Sequence, residues 1–107
     1  MSLRIESVIV SALARIAPVI SQLKRRNRNL ADQLDRASSS ILLNTSEGAY
    51  SLKGNQRARY HSALGSAAET RSCLQLAGAQ HGVLIDPQLH DQLDHVIAVL
   101  WKLSRPR

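Results

Sequence analysis

The densest gathering of groups that could hold a metal or move a proton is HDQLDH, residues 90–95. His90 and Asp94 are one helical turn apart, as are Asp91 and His95, on neighbouring faces of one helix. A zinc site of the H-E-x-x-H type needs both histidines one turn apart on the same face. Here they stand five residues apart and diverge, so surface ion pairs are the expected role. Cys73 and His81 could serve as nucleophile and base only with a third, orienting group, and nothing in the sequence supplies one. A small buried thiol is the simpler assignment for Cys73. Glu47 and Glu69 could act as an acid–base pair, but the same residues have a plainer electrostatic role opposite Arg59 and Arg36. There is no glycine-rich phosphate loop and no nucleotide fingerprint. These residues point to a protein that is not an enzyme and uses no cofactor and no metal.

What remains is charge. The net charge is +6 and the estimated pI about 10.5, a balance that attracts anionic partners, nucleic acid first. One basic run, KRRNR, holds Lys24, Arg25, Arg26 and Arg28; a second group is Lys53, Arg57 and Arg59. These seven are the candidate nucleic-acid-binding residues, for RNA or DNA. The lone cysteine excludes a disulfide within one chain and suggests a reducing, cytoplasmic setting. The opening MSLRIESVIVSALARIAPVI is interrupted by Glu6 and Arg15 and reads as a helix, not a signal peptide. No apolar run approaches membrane-spanning length, so no membrane partner is expected.

The elements that must position these residues are helices. A chain of 107 residues suits one domain, 1–107, and four helices with short turns would use it all. With aromatics at 3% and no Phe, the core must be Leu, Ile, Val and Ala. The first segment, about 4–26, repeats Ile5, Val8, Ile9, Ala12, Ile16, Val19, Ile20 and Leu23 at helical spacing, with Pro18 expected to bend or break it. Asn27 or Asn29 can cap the second helix, whose apolar stripe is Leu30, Leu34, Ala37 and Ile41, continuing to Thr45 and Gly48. A turn at SLKGN, with Gly54 and Asn55, precedes a third helix over about 56–80, striped by Tyr60, Leu64, Ala67 and Leu74 and ended at His81-Gly82. Asp86 as N-cap with Pro87 starts the fourth, carrying Leu89, Leu93, Val96, Ile97, Leu100 and Leu103 and stopping before Pro106. The fold class is all-α, an antiparallel up-down-up-down four-helix bundle.

A polar stripe runs beside the apolar one on the second helix: Gln33, Arg36, Ser40, Asn44 and Glu47. The third helix has a counterpart in Ser62, Gly65, Glu69 and Ser72. A mid-helix glycine costs about 1 kcal/mol relative to alanine, so Gly65 suggests close backbone approach. Folding the two helices back about the turn sets Arg36 level with Glu69, and Glu47 level with Arg59 and Tyr60. Gln33, Arg36, Asn44, Glu47, Gly65 and Glu69 are therefore the candidate residues for packing within the hairpin. The same topology gathers Lys53, Arg57 and Arg59 with Lys102, Arg105 and Arg107 at one pole, and Lys24 to Arg28 at the other.

LADQLDRASSSILLNTSEGA followed by YHSALGSAAETRSCLQLA resembles the four-helix-bundle proteins encoded by intervening sequences in bacterial 23S ribosomal RNA genes. The positions that match that pattern are Leu30, Gln33, Arg36, Ala37, Ser40, Ile41, Asn44, Glu47, Gly48, Leu64, Gly65, Ser66 and Glu69. Thr45 and Ser46 stand where the family has Ile-Ala, and its aromatic-rich opening is missing here. The resemblance implies a four-helix bundle assembled as a ring-like homopentamer, in which Gln33, Arg36, Asn44, Glu47, Gly65 and Glu69 would also serve assembly between subunits, with no established activity. The related accessory proteins of diversity-generating retroelements bind nucleic acid and a reverse transcriptase through a basic surface. The expected function is thus a non-enzymatic homo-oligomer that binds nucleic acid. The alternative is a docking scaffold, for example for a nucleic-acid-processing protein, and a weaker third reading is a hydrolase using the paired glutamates.

Overall fold

A computed structural model describes residues 4–106, and those residues form four α-helices and no strand. They are α1 (Arg4–Lys24), α2 (Arg28–Ala49), α3 (Lys53–His81) and α4 (Pro87–Ser104). Each packs on its two neighbours around the bundle, and across the diagonal α1 also touches α3. The α2–α3 hairpin has the most extensive contact, and its cross-links run antiparallel: Gln33 to Glu69, Ser40 to Ser66 and Gly48 to Gln56.

The core is what the sequence composition requires, aliphatic with one aromatic. Ile9, Ile16, Leu23, Leu34, Ile41, Leu74, Leu89, Leu93, Val96 and Leu100 are almost fully removed from water. Ala31, Ala63, Ala67 and Ala77 are equally buried, and their small side chains let the helices approach closely. The whole apolar stripe expected on α2 is inside, including Thr45 and Gly48. Thr45, Ser38 and Thr70 are buried hydroxyls, and each donates to a carbonyl one turn earlier in its own helix, at 2.7–2.8 Å. Thr45 therefore replaces an apolar residue without leaving an unsatisfied polar group.

Caps set most of the boundaries. Asn27, not Asn29, caps α2: its Oδ1 accepts from the Leu30 N–H at 3.0 Å. Asp86 caps α4 by accepting from the Gln88 N–H at 2.9 Å, with Pro87 next. Gly82 ends α3 with φ of 64°, and Val83 donates back to the Ala77 carbonyl, a turn that glycine makes without strain.

Three expectations are corrected. Helix α1 runs through Pro18 as one helix. Both Pro18 and Ala14 are exposed, so the carbonyl that proline leaves without a donor has access to water. On length and composition α1 is also apolar enough to cross a membrane, with a mean hydropathy of 1.4, because Glu6 and Arg15 interrupt it too little. In the fold its Ile5, Ile9, Ala12, Ile16, Val19 and Leu23 stripe faces the bundle core. Finally, the chain reverses at 50–52, and Gly54 and Asn55 lie within the first turn of α3. Ser51 closes that turn: its Oγ donates to the Glu47 carbonyl at 2.7 Å and accepts from Asn55 Nδ2 at 3.1 Å.

Candidate nucleic-acid interface and assembly face

At the pole where α3 begins and α4 ends, the backbone brings two segments of basic sequence face to face. Lys53 and Arg57 from α3 and Lys102 and Arg105 from the end of α4 line one cleft of about 480 Å³, with Gln56 and Tyr60. All four cations are exposed, and none takes part in an ion pair among the described residues. Helix α3 adds to the field there, since it starts with no side-chain cap and no acidic residue in its first turn. Trp101, half exposed, lies one turn before Arg105, whose guanidinium carbon sits 4.1 Å from the ring centroid. Arg107 lies outside the described residues.

Arg59 does not join that group. Its Nη1 reaches Glu47 Oε2 at 3.1 Å, across the hairpin and away from the cleft-lining residues. This is the Glu47–Arg59 pairing that the hairpin register anticipates. Both groups are largely exposed, so the pair is worth about 0–1 kcal/mol.

At the other pole Lys24, Arg25 and Arg28 are exposed and make no ion pair among the described residues. Arg26 is different. Its Nη1 donates to the His81 carbonyl at 2.6 Å, satisfying a free acceptor at the end of α3, and Asn27 Nδ2 lies 3.4 Å from His81 Nε2. Arg26 thus ties the first turn to the α3 terminus.

The polar stripe of α2 divides into an inner and an outer part. Asn44 donates to both the carbonyl and the Oγ of Ser40, and Ser66 donates to the same Oγ at 2.9 Å, a small bridge between α2 and α3. Gln33 donates to Glu69 Oε2 at 3.3 Å. The expected Arg36–Glu69 pair does not form. The two residues are level, but the Arg36 side chain lines a shallow groove on the outer side of α2 with Asp35, Ser39, Leu43 and Glu47, of about 430 Å³. Leu43 is 65% exposed there, an apolar side chain in a polar groove.

The two motif glycines behave oppositely. A Cβ on Gly48 would stand 2.6 Å from Tyr60 Cε1, so the ring lies directly on the glycine. A Cβ on Gly65 would meet nothing within 4 Å. The expected close approach at Gly65 is therefore absent among the described residues; the real one is at Gly48.

Among the described residues no three His, Cys, Asp or Glu side chains converge on a metal-sized site. Asp94 pairs with Arg71 of α3 at 3.4 Å, in place of the expected partner His90. Cys73 is buried, and its thiol is pushed above its ordinary value by burial first and by the Glu69 charge second. That thiol is a poor nucleophile.

Sequence reasoning placed Lys102 and Arg105 at the right pole but left them out of the binding set, and it missed Trp101. The signal was available in WKLSR, where an aromatic is followed at once by Lys102 and one helical turn later by Arg105.

A family model described as 23S rRNA-intervening sequence protein matches residues 8–102, nearly the whole described bundle. No curated protein and no solved structure matches the chain.

Proposed function

The chain belongs to the 23S rRNA-intervening sequence protein family, and from that premise we propose that it is a non-enzymatic, self-assembling bundle that presents basic surfaces to nucleic acid. The observation that carries the reading is the cleft at the α3–α4 pole, where four exposed cations face one another without carboxylate partners among the described residues. Like charges held together in this way repel and raise the local potential; a phosphate backbone relieves the repulsion and releases its own counterions. Assembly as a homopentamer would repeat the cleft around a rim, so one strand could engage several copies at once. The outer faces of α2 and α3, with Arg36, Leu43 and Gly65, are the surfaces that offer room for a neighbouring copy.

The test is retention of ribosomal RNA fragments on a filter over a series of salt concentrations. Four phosphate contacts on a single strand give a log–log slope of roughly −3 per engaged subunit. Binding with such a slope supports the reading. No retention at low salt refutes it and favours the docking-scaffold alternative, for which the exposed Leu43 in its groove would be the anchor.

A further inference from the structure

Beside the cleft, joined to it through Arg105, lies an exposed aromatic face, and that combination distinguishes between kinds of nucleic acid. Lys53, Arg57, Lys102 and Arg105 line the space, while the ring of Trp101 is half open to solvent with the Arg105 guanidinium over it at 4.1 Å. We infer that this cleft is a seat for a single strand: its cations grip successive backbone phosphates, and an unpaired base stacks on the Trp101–Arg105 face. The inference rests on the nucleic-acid reading above and adds the place and the strand type.

Charge alone would favour a duplex, which carries more phosphates per unit length. A duplex, however, keeps its bases stacked on one another and has nothing to offer an exposed indole. Unpaired bases have free faces, and stacking on an aromatic side chain is tolerant of sequence because every base has such a face. Tyr60, which lines the cleft, has its hydroxyl pushed above its ordinary value by burial first and by the Glu6 charge second.

Trp101 is the only tryptophan, so its fluorescence reports on the Arg105 edge of the cleft. The intact chain is titrated with a short single-stranded oligouridylate, an RNA duplex of equal length, pyrophosphate and phosphatidylserine vesicles. The single strand should quench Trp101 and bind more tightly than the duplex. Replacing Lys102 and Arg105 together by alanine should weaken single-strand binding about 25-fold at 0.1 M salt, two contacts at a slope of about −0.7 each. Trp101→Leu, read by filter retention, should lower single-strand affinity about tenfold and leave duplex affinity unchanged. These side chains are exposed, so the variants keep the wild-type helical signal and melting temperature.

A duplex bound as tightly as the single strand overturns the strand assignment. Full single-strand affinity in the Lys102→Ala, Arg105→Ala variant overturns the cleft, though nucleic-acid binding elsewhere would stand. Quenching by pyrophosphate or by vesicles, with no affinity for either nucleic acid, overturns both this inference and the functional reading beneath it.

Discussion

Gly48→Ala adds one methyl group at the end of α2, and the structure fixes what that group would meet. The new Cβ would lie 2.6 Å from Tyr60 Cε1, 2.8 Å from Cδ1 and 3.2 Å from Cζ. Carbon atoms settle at about 3.5–4.0 Å, so ring and helix must separate by roughly 1 Å. The ring has little room to yield, because Tyr60 is only 3% exposed and belongs to the core. The turn resists as well: the Gly48 carbonyl accepts from Gln56 Nε2 at 3.0 Å and from the Ser51 N–H at 3.2 Å. Overpacking of this kind costs about 1–3 kcal/mol. The gain in helix propensity, at most about 1 kcal/mol, is smaller in the last turn of a helix. The net loss is about 1–2 kcal/mol, or roughly 5–15 °C in melting temperature for a domain of this size. Thermal and urea unfolding followed by far-ultraviolet circular dichroism would measure it. A neutral or stabilising Gly48→Ala would refute the close contact. So would strict additivity with Tyr60→Leu, since residues in contact should couple.

The other consequences can be measured on the same preparation. Gly65→Ala should stabilise the isolated bundle by about 1 kcal/mol, the opposite sign from Gly48→Ala, and urea midpoints would check it. Arg36→Ala should change monomer stability by less than about 0.5 kcal/mol in urea unfolding, because the side chain lines an open groove and pairs with no described carboxylate. Arg26→Ala should cost about 0.5–1.5 kcal/mol through the freed His81 carbonyl while leaving the salt slope of RNA binding unchanged. Stability should also fall in alkali. Burial first, then the charges of Glu69 and Glu6, hold the Cys73 and Tyr60 acids above their ordinary values of 9.0 and 10.0. The unfolded chain therefore releases these protons first, so stability is complete below about pH 9 and declines as pH rises. Denaturation midpoints at about pH 8 and about pH 10 would show the decline, and Cys73→Ala should reduce it.

Local signals were legible where they depend on periodicity or caps. Asp86-Pro87, His81-Gly82 and the Leu30–Gly48 stripe each mark their place without help from the rest of the chain. The α2–α3 register could be read because two helices joined by a short turn must lie antiparallel, and Glu47 with Arg59 follows from that alone. Side-chain direction could not. Arg36 and Glu69 are level, yet Gln33, one turn earlier, reaches the carboxylate while Arg36 turns outward. Glycine meaning was also hidden: Gly65 and Gly48 look alike in sequence, and only the position of the Tyr60 ring separates them. Pro18 misled because the cost of a mid-helix proline depends on whether the orphaned carbonyl faces water or core. The cleft was half visible. Topology brought the basic residues to one pole, but the split between Arg57, which lines the cleft, and Arg59, which is spent on Glu47, is a matter of helical facing and partner competition.

Sedimentation of the purified chain, alone and with a labelled single-stranded ribosomal RNA fragment, probes assembly and binding in one experiment. A self-assembling binder sediments as a particle of five times the 11.8 kDa chain mass, carries the RNA with it at low salt and releases it as salt rises. A lone 11.8 kDa species at every concentration, with the RNA sedimenting separately, would contradict it.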